Sequence, residues 1–130
     1  MKTREDIESF LIQAELPYQE VKEGLWVLQG AGDIEQVVVH LSPPVLVFRV
    51  YVMDLPKGKR EQLFRTLLEL NSAQMVHGAY GIEGEKIVIV DSLQTENLDF
   101  NEFRATIDDM TLAVAGHYST LSQFRDGEAA

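Results

Sequence analysis

Gly30, Gly32 and Lys59 come nearest to a phosphate-binding arrangement. Gly30-Ala31-Gly32 reads G-x-G but lacks the third glycine. It also leads into a β-branched run, so no helix N-terminus would face a pyrophosphate, and a hairpin turn suits it better. Gly58-Lys59 has no upstream P-loop glycine and no Ser or Thr behind it, which leaves a helix start. His40, His77 and His117 form no i, i+4 pair and no H-E-x-x-H, so structural or surface hydrogen bonding is expected of them rather than metal ligation. The chain has no cysteine, which excludes disulfides, thiolate zinc sites and a cysteine nucleophile. Asp108 and Asp109 are helical neighbours about 100° apart, too divergent to share a proton across a substrate. Glu83 and Glu85 flank a turn and read as a solvated face. No serine sits in G-x-S-x-G. With no nucleophile, base and orienter together, the expectation is a non-enzyme with no cofactor and no metal.

The elements follow from periodicity and punctuation. Thr3 and Asp6 have N-cap spacing ahead of Ile7, Phe10, Leu11 and Ala14, which predicts a short helix stopped by Pro17. Residues 18–21 are a possible short strand, and 25–28 and 37–41 are strand candidates. Residues 45–53 form the longest strand, with Leu46, Phe48, Val50 and Val52 on one face and Val45, Val47, Arg49, Tyr51 and Met53 on the other. A second helix over 59–73 carries two apolar rows, Leu63/Leu67/Leu70 and Phe64/Leu68. A hairpin follows, 78–82 and 86–90, turning at Glu83-Gly84. Asp99 and Glu102 cap a long last helix, with Leu98 stapled to Phe103. Its stripe is Phe103, Ile107, Met110, Val114, Tyr118 (or His117) and Leu121. Short breaks between strands favour antiparallel pairing. The fold class is α+β, a two-layer sandwich of antiparallel sheet and helices in the order α-β-β-β-α-β-β-α. At 130 residues it is one domain over 1–130, with 124–130 expected to fray.

Acidic residues number 21 against 11 basic, for a net charge of −10. That argues against nucleic acid and anionic membrane as partners. No secretory leader and no spanning run is visible, so a cytoplasmic location is expected. Arg49 lies mid-strand among apolar residues. Either its stem covers apolar surface while its head stays wet, or it makes an ion pair or partner contact. Trp26, the single tryptophan, reads as core, with a binding anchor at a sheet edge as the alternative. The two rows of the second helix read either as one buried core or, favoured by so small an interior, as a core row plus a dimer row.

Several stretches resemble the YbjN-like family, which has the fold of the small type III secretion chaperones. They are Leu67-Leu68-Glu69-Leu70-Asn71 at a helix end, Gly78-Ala79-Tyr80-Gly81-Ile82 with Gly84 and Ile87-Val88-Ile89-Val90 as a hairpin, and Leu98-Asp99-Phe100 opening a long helix. The resemblance spans about 3–121 and implies a non-enzymatic domain, commonly homodimeric, that holds an extended or partly unfolded polypeptide. Strand addition at a free edge beside apolar pockets would serve that role. The candidate groove is Phe10, Leu11, Trp26, Leu28 and Val39, and the candidate dimer row is Phe64, Leu68, Met75 and Tyr80. The acidic surface would favour basic clients. The rival expectation is a small-ligand sensor with a pocket between the sheet and the last helix.

Overall fold

The computed structural model describes residues 1–29 and 36–125. The turn expected at 30–33 and the tail residues 126–130 lie outside that range. Helix α1 (Arg4–Gln13) begins as a full capping box: the Thr3 hydroxyl accepts the Asp6 N–H, and the Asp6 carboxylate accepts the Thr3 N–H at 2.8 Å. Ile7 and Leu11, four residues apart, are buried on its inner face.

The strands are β1 (Tyr18–Lys22), β2 (Leu25–Gln29), β3 (Gln36–Ser42), β4 (Val45–Asp54), β5 (Ala79–Glu83) and β6 (Lys86–Gln94). They form one antiparallel sheet in the order β1-β2-β3-β4-β6-β5. Four strands therefore precede the second helix, where the expected order counted three. The added strand is β1, which pairs Tyr18 with Leu28 and Glu20 with Trp26. Its sequence is mostly polar because one of its edges is free and partly solvated, so no apolar alternation marks it.

Leu28, Val37, Val50, Ile89 and Tyr80 lie opposite one another across five strands and share a face with Trp26, Val39 and Phe48. All three helices pack on that face in one cluster. Rings of Phe10, Phe103 and Phe48 tie α1, α3 and β4 together at centroid distances of 5.5 and 5.7 Å. The opposite face carries Val27, Val38, Val47, Arg49 and Val90, each partly exposed, and among the described residues no helix packs on it. Arg49 resolves as an ion pair, its Nε donating to Glu83 at 3.1 Å on that open face. A β-bulge between Tyr51 and Met53 shifts the alternation. Met53 thus sits opposite Ile87 and is buried, a correction to its expected place on the Arg49 face.

Helix α2 (Arg60–Ala73) buries Leu63, Leu67 and Leu70 and leaves Leu68 exposed. In α3 (Phe100–Ser122) the Asp99 carboxylate accepts the Glu102 N–H at 2.8 Å, and Leu98 and Phe103 are both buried at the helix start. His117, rather than Tyr118, continues the buried stripe. Among the described residues no helix is long and apolar enough to cross a membrane.

Candidate protein-binding surfaces

Four of the five expected groove residues are interior. Leu11, Trp26 and Val39 are fully buried and Leu28 nearly so. Each shares the helix-facing side of the sheet with Phe48 or Val50, or packs on it from α1, so they build the core and not an open trough. Only Phe10 is half-exposed, beside Phe100 at 6.0 Å. The space between sheet and α3, where the rival reading puts a sensor pocket, holds the buried side chains of Phe48, Phe103, Ile107 and Met110.

The sheet has two edges of different character. On β1, the Gln29 N–H donates to the Pro17 carbonyl at 3.0 Å, which makes Tyr18/Leu28 a pair without mutual main-chain bonds. By alternation, Tyr18 and Glu20 point their N–H and C=O groups off the sheet. No hydrogen bond among the described residues engages them. Val21 at the bulge and Ile12 on α1 are exposed apolar side chains. Arg4 is held by Glu20, through Nε at 2.6 Å and a second contact from Nη2. That pairing raises the Arg4 guanidinium further and holds Glu20 below the usual carboxylate range, with the Gly24 N–H helping the latter. The hollow beside this pair mixes Arg4 and Lys22 with Glu5, Glu20 and Glu23, so it offers no field of one sign.

The β5 edge is different. Phe64, Leu67, Leu68, Asn71, Tyr80, Gly81 and Ile82 line an open apolar hollow of about 260 Å³ between α2 and β5. Leu68 and Ile82 stand exposed at its rim. Of the expected dimer row, Phe64, Leu68 and Tyr80 meet here, Tyr80 largely buried. Met75 lies partly buried against the core and does not line the hollow. Asn71 reaches the edge itself: its Oδ1 accepts the Tyr80 N–H at 2.8 Å and its Nδ2 donates to the Tyr80 carbonyl at 3.3 Å.

Behind the hollow, the Tyr80 hydroxyl meets His117 Nδ1 at 2.7 Å, and His117 Nε2 meets Gln74 Oε1 at 3.2 Å. Burial lowers the pKa of the His117 imidazole and raises that of the Tyr80 phenol, so it disfavours the charged form of each. His77 pairs with Asp109 at 2.5 Å and fastens the 74–78 connection to α3. Among the described residues no three His, Asp or Glu side chains converge as metal ligands would. Sequence reasoning offered 18–21 as a possible strand and a free edge somewhere on the sheet, but it did not place that edge on β1 and gave Ile82 and Asn71 no part in a binding surface. The one available signal was Val21, an apolar residue inside a polar strand.

The chain belongs to the CesT_Tir_1 family, a type III secretion chaperone family, whose model matches residues 1–126. No curated protein matches it in sequence. Several solved structures share the fold. A chain of the heterodimeric ExoU–SpcU complex from the type III secretion system of Pseudomonas aeruginosa superposes with a TM-score of 0.70 at 17% identity, over 85% of this chain and 93% of that one. YbjN from E. coli superposes with a TM-score of 0.69 at 12% identity, over 92% and 93%. A chain of the HopA1–SchA chaperone–effector complex does so with a TM-score of 0.63 at 12% identity, over 83% and 86%.

Proposed function

We propose that this CesT_Tir_1 family member is a non-enzymatic, chaperone-like binding module, residues 1–130 acting as one unit, that holds an extended segment of another polypeptide. The observation that carries the reading is the unengaged main-chain edge of β1, beside exposed Val21 and in a chain of net charge −10. An added strand would bond to the outward groups of Tyr18 and Glu20 while basic side chains met the acidic surface. The ExoU–SpcU and HopA1–SchA structures, which hold protein complexes on the same fold, support a protein partner here. The working form is a homodimer, two copies meeting through the α2–β5 hollow. Exposed Leu68 and Ile82 at its rim put apolar surface where a two-fold interface could bury it. The module acts in the cytoplasm, without cofactor, nucleic acid or membrane, and its acidity keeps the apolar patches soluble.

The test is fluorescence anisotropy with short labelled peptides of alternating apolar and basic residues, beside Pro-containing and acidic controls. The basic strand-forming peptides bind and the controls do not. Val21→Asp weakens binding although it adds charge of the attractive sign, because apolar contact at the edge is lost. Equal binding of the Pro-containing peptides would remove strand addition from the account.

A further inference from the structure

Gly84 and Glu85 form the turn between β5 and β6, with Glu83 and Lys86 closing it as a directly opposed pair. In a two-residue hairpin that closing pair exchanges main-chain bonds, and such pairs alternate along the ladder. Gly81/Val88 and Ala79/Val90 are then bonded pairs, whereas Tyr80 and Ile82 turn their N–H and C=O groups to the free edge. Those two residues are what an incoming strand would have to bond. Asn71, in the last turn of α2, already satisfies both groups of Tyr80 with the donor and acceptor of one amide. Its side chain occupies the place where the main chain of a neighbouring strand would run. Only the Ile82 groups remain, and no hydrogen bond among the described residues engages them. Half-exposed Ile82 beside an apolar hollow is otherwise the composition that invites edge-to-edge growth.

We propose that Asn71 closes the β5 edge to strand addition, so that a second copy of this chain docks on this face through side chains and the sheet cannot extend from one copy into the next. The docking half rests on the homodimer reading above; the closure rests on the Asn71 geometry alone. An amide is suited to the task because it mimics a strand residue without carrying a further edge of its own. Alanine would leave the Tyr80 groups unpaired, and aspartate would supply no donor for the carbonyl.

Two measurements test this. Hydrogen exchange on the wild-type chain, at concentrations where the pair is formed, finds the Tyr80 amide protected and the Ile82 amide exchanging at least roughly tenfold faster, since only the first is bonded. Equal protection of both would show a sheet-extending contact and overturn the proposal. In Asn71→Ala with native circular dichroism the opened β5 edges of two copies bond to each other, so the amide at position 82 becomes at least roughly tenfold more protected than in wild type at the same concentration. Adding Ile82→Lys removes that gain, because a lysine blocks an edge. Exchange at position 82 that Asn71→Ala leaves as in wild type overturns the closure, as does protection that the lysine leaves unchanged. A wild-type mass of one chain in light scattering removes the homodimer instead, and the Asn71→Ala comparison still decides the closure.

Discussion

Leu68→Ala separates the two rows of α2 by what each row is for. In the single chain Leu68 is 68% exposed, while Leu63 in the other row is fully buried. Burying a whole leucine is worth about 2 kcal/mol, so the exposed two-thirds leaves about 1.4 kcal/mol to be gained against a partner. Two-fold symmetry makes that gain twice, near 3 kcal/mol per pair. The expected weakening of the dimer is therefore about a hundredfold in dissociation constant. The monomer should barely respond, staying within about 0.5 kcal/mol in a urea melt at high dilution. Leu63→Ala inverts the pattern: it costs the fold about 2–5 kcal/mol through the cavity it leaves. Sedimentation equilibrium across a concentration series supplies the dissociation constant. A Leu68→Ala chain that associates as tightly as wild type would refute the assignment of this row to an interface.

Trp26→Ala should cost about 3–5 kcal/mol in a urea melt, because the ring is wholly enclosed and its loss leaves a large cavity; a change under about 1 kcal/mol would return Trp26 to the surface. Folding disfavours a charge on His117, whose pKa is lowered below the ordinary 6.5 by burial. The unfolded chain then binds the proton more readily, so this contribution is full above about pH 6.5 and is lost as pH falls from there toward the lowered value. His117→Gln should flatten the fall in melting temperature over that window, and an unchanged profile would assign the fall to other groups. The carboxylates of Asp6, Glu20 and Asp54 are also held low by hydrogen bonds, but theirs is an acid limb that begins near pH 4. Gly78→Ala should destabilise by about 1–2 kcal/mol or more: φ is +82°, and a Cβ would meet the Ile89 Cγ2 at 3.0 Å. Full stability of that variant would show that the 74–78 connection adjusts freely.

Local signals were legible where one short segment contains its own cause. Thr3 with Asp6, and Asp99 with Glu102 and the Leu98–Phe103 staple, mark helix starts because cap chemistry is complete within a few residues. The two rows of α2 were legible because Leu63 and Leu68 differ in angle on one helix. The groove was not. Trp26, Leu28 and Val39 are apolar whether they line a core or a trough, and only their register with Phe48 and Val50 settles which. Met53 changed sides through a bulge that no residue type announces. Tyr18–Lys22 was legible only as a possible strand over 18–21 and was left out of the counted order, because an edge exposed to water tolerates polar residues. Asn71 is invisible for a different reason: its partner lies nine positions on, across a turn, and an amide near a helix end ordinarily reads as a cap.

The difference between the two edges bears on how such a module stays finite. A sheet with two open edges can template at both ends, and with apolar rims it grows. Here one edge is occupied by the amide of Asn71 and the other is free at Tyr18 and Glu20. β1 and β5 are the outermost strands on opposite sides of the sheet. Contact through α2 and β5 therefore does not consume β1, and side-chain docking on one side is compatible with strand addition on the other. The free edge also carries its own brake. Polar Gln19 and Lys22, the bulge at Val21 and the Arg4–Glu20 pair reduce its fit to another copy of the same acidic chain. A basic segment suffers no such charge penalty. Edge polarity, bulge and net charge together would let the proposed module discriminate between self and a basic client where main-chain hydrogen bonding alone cannot.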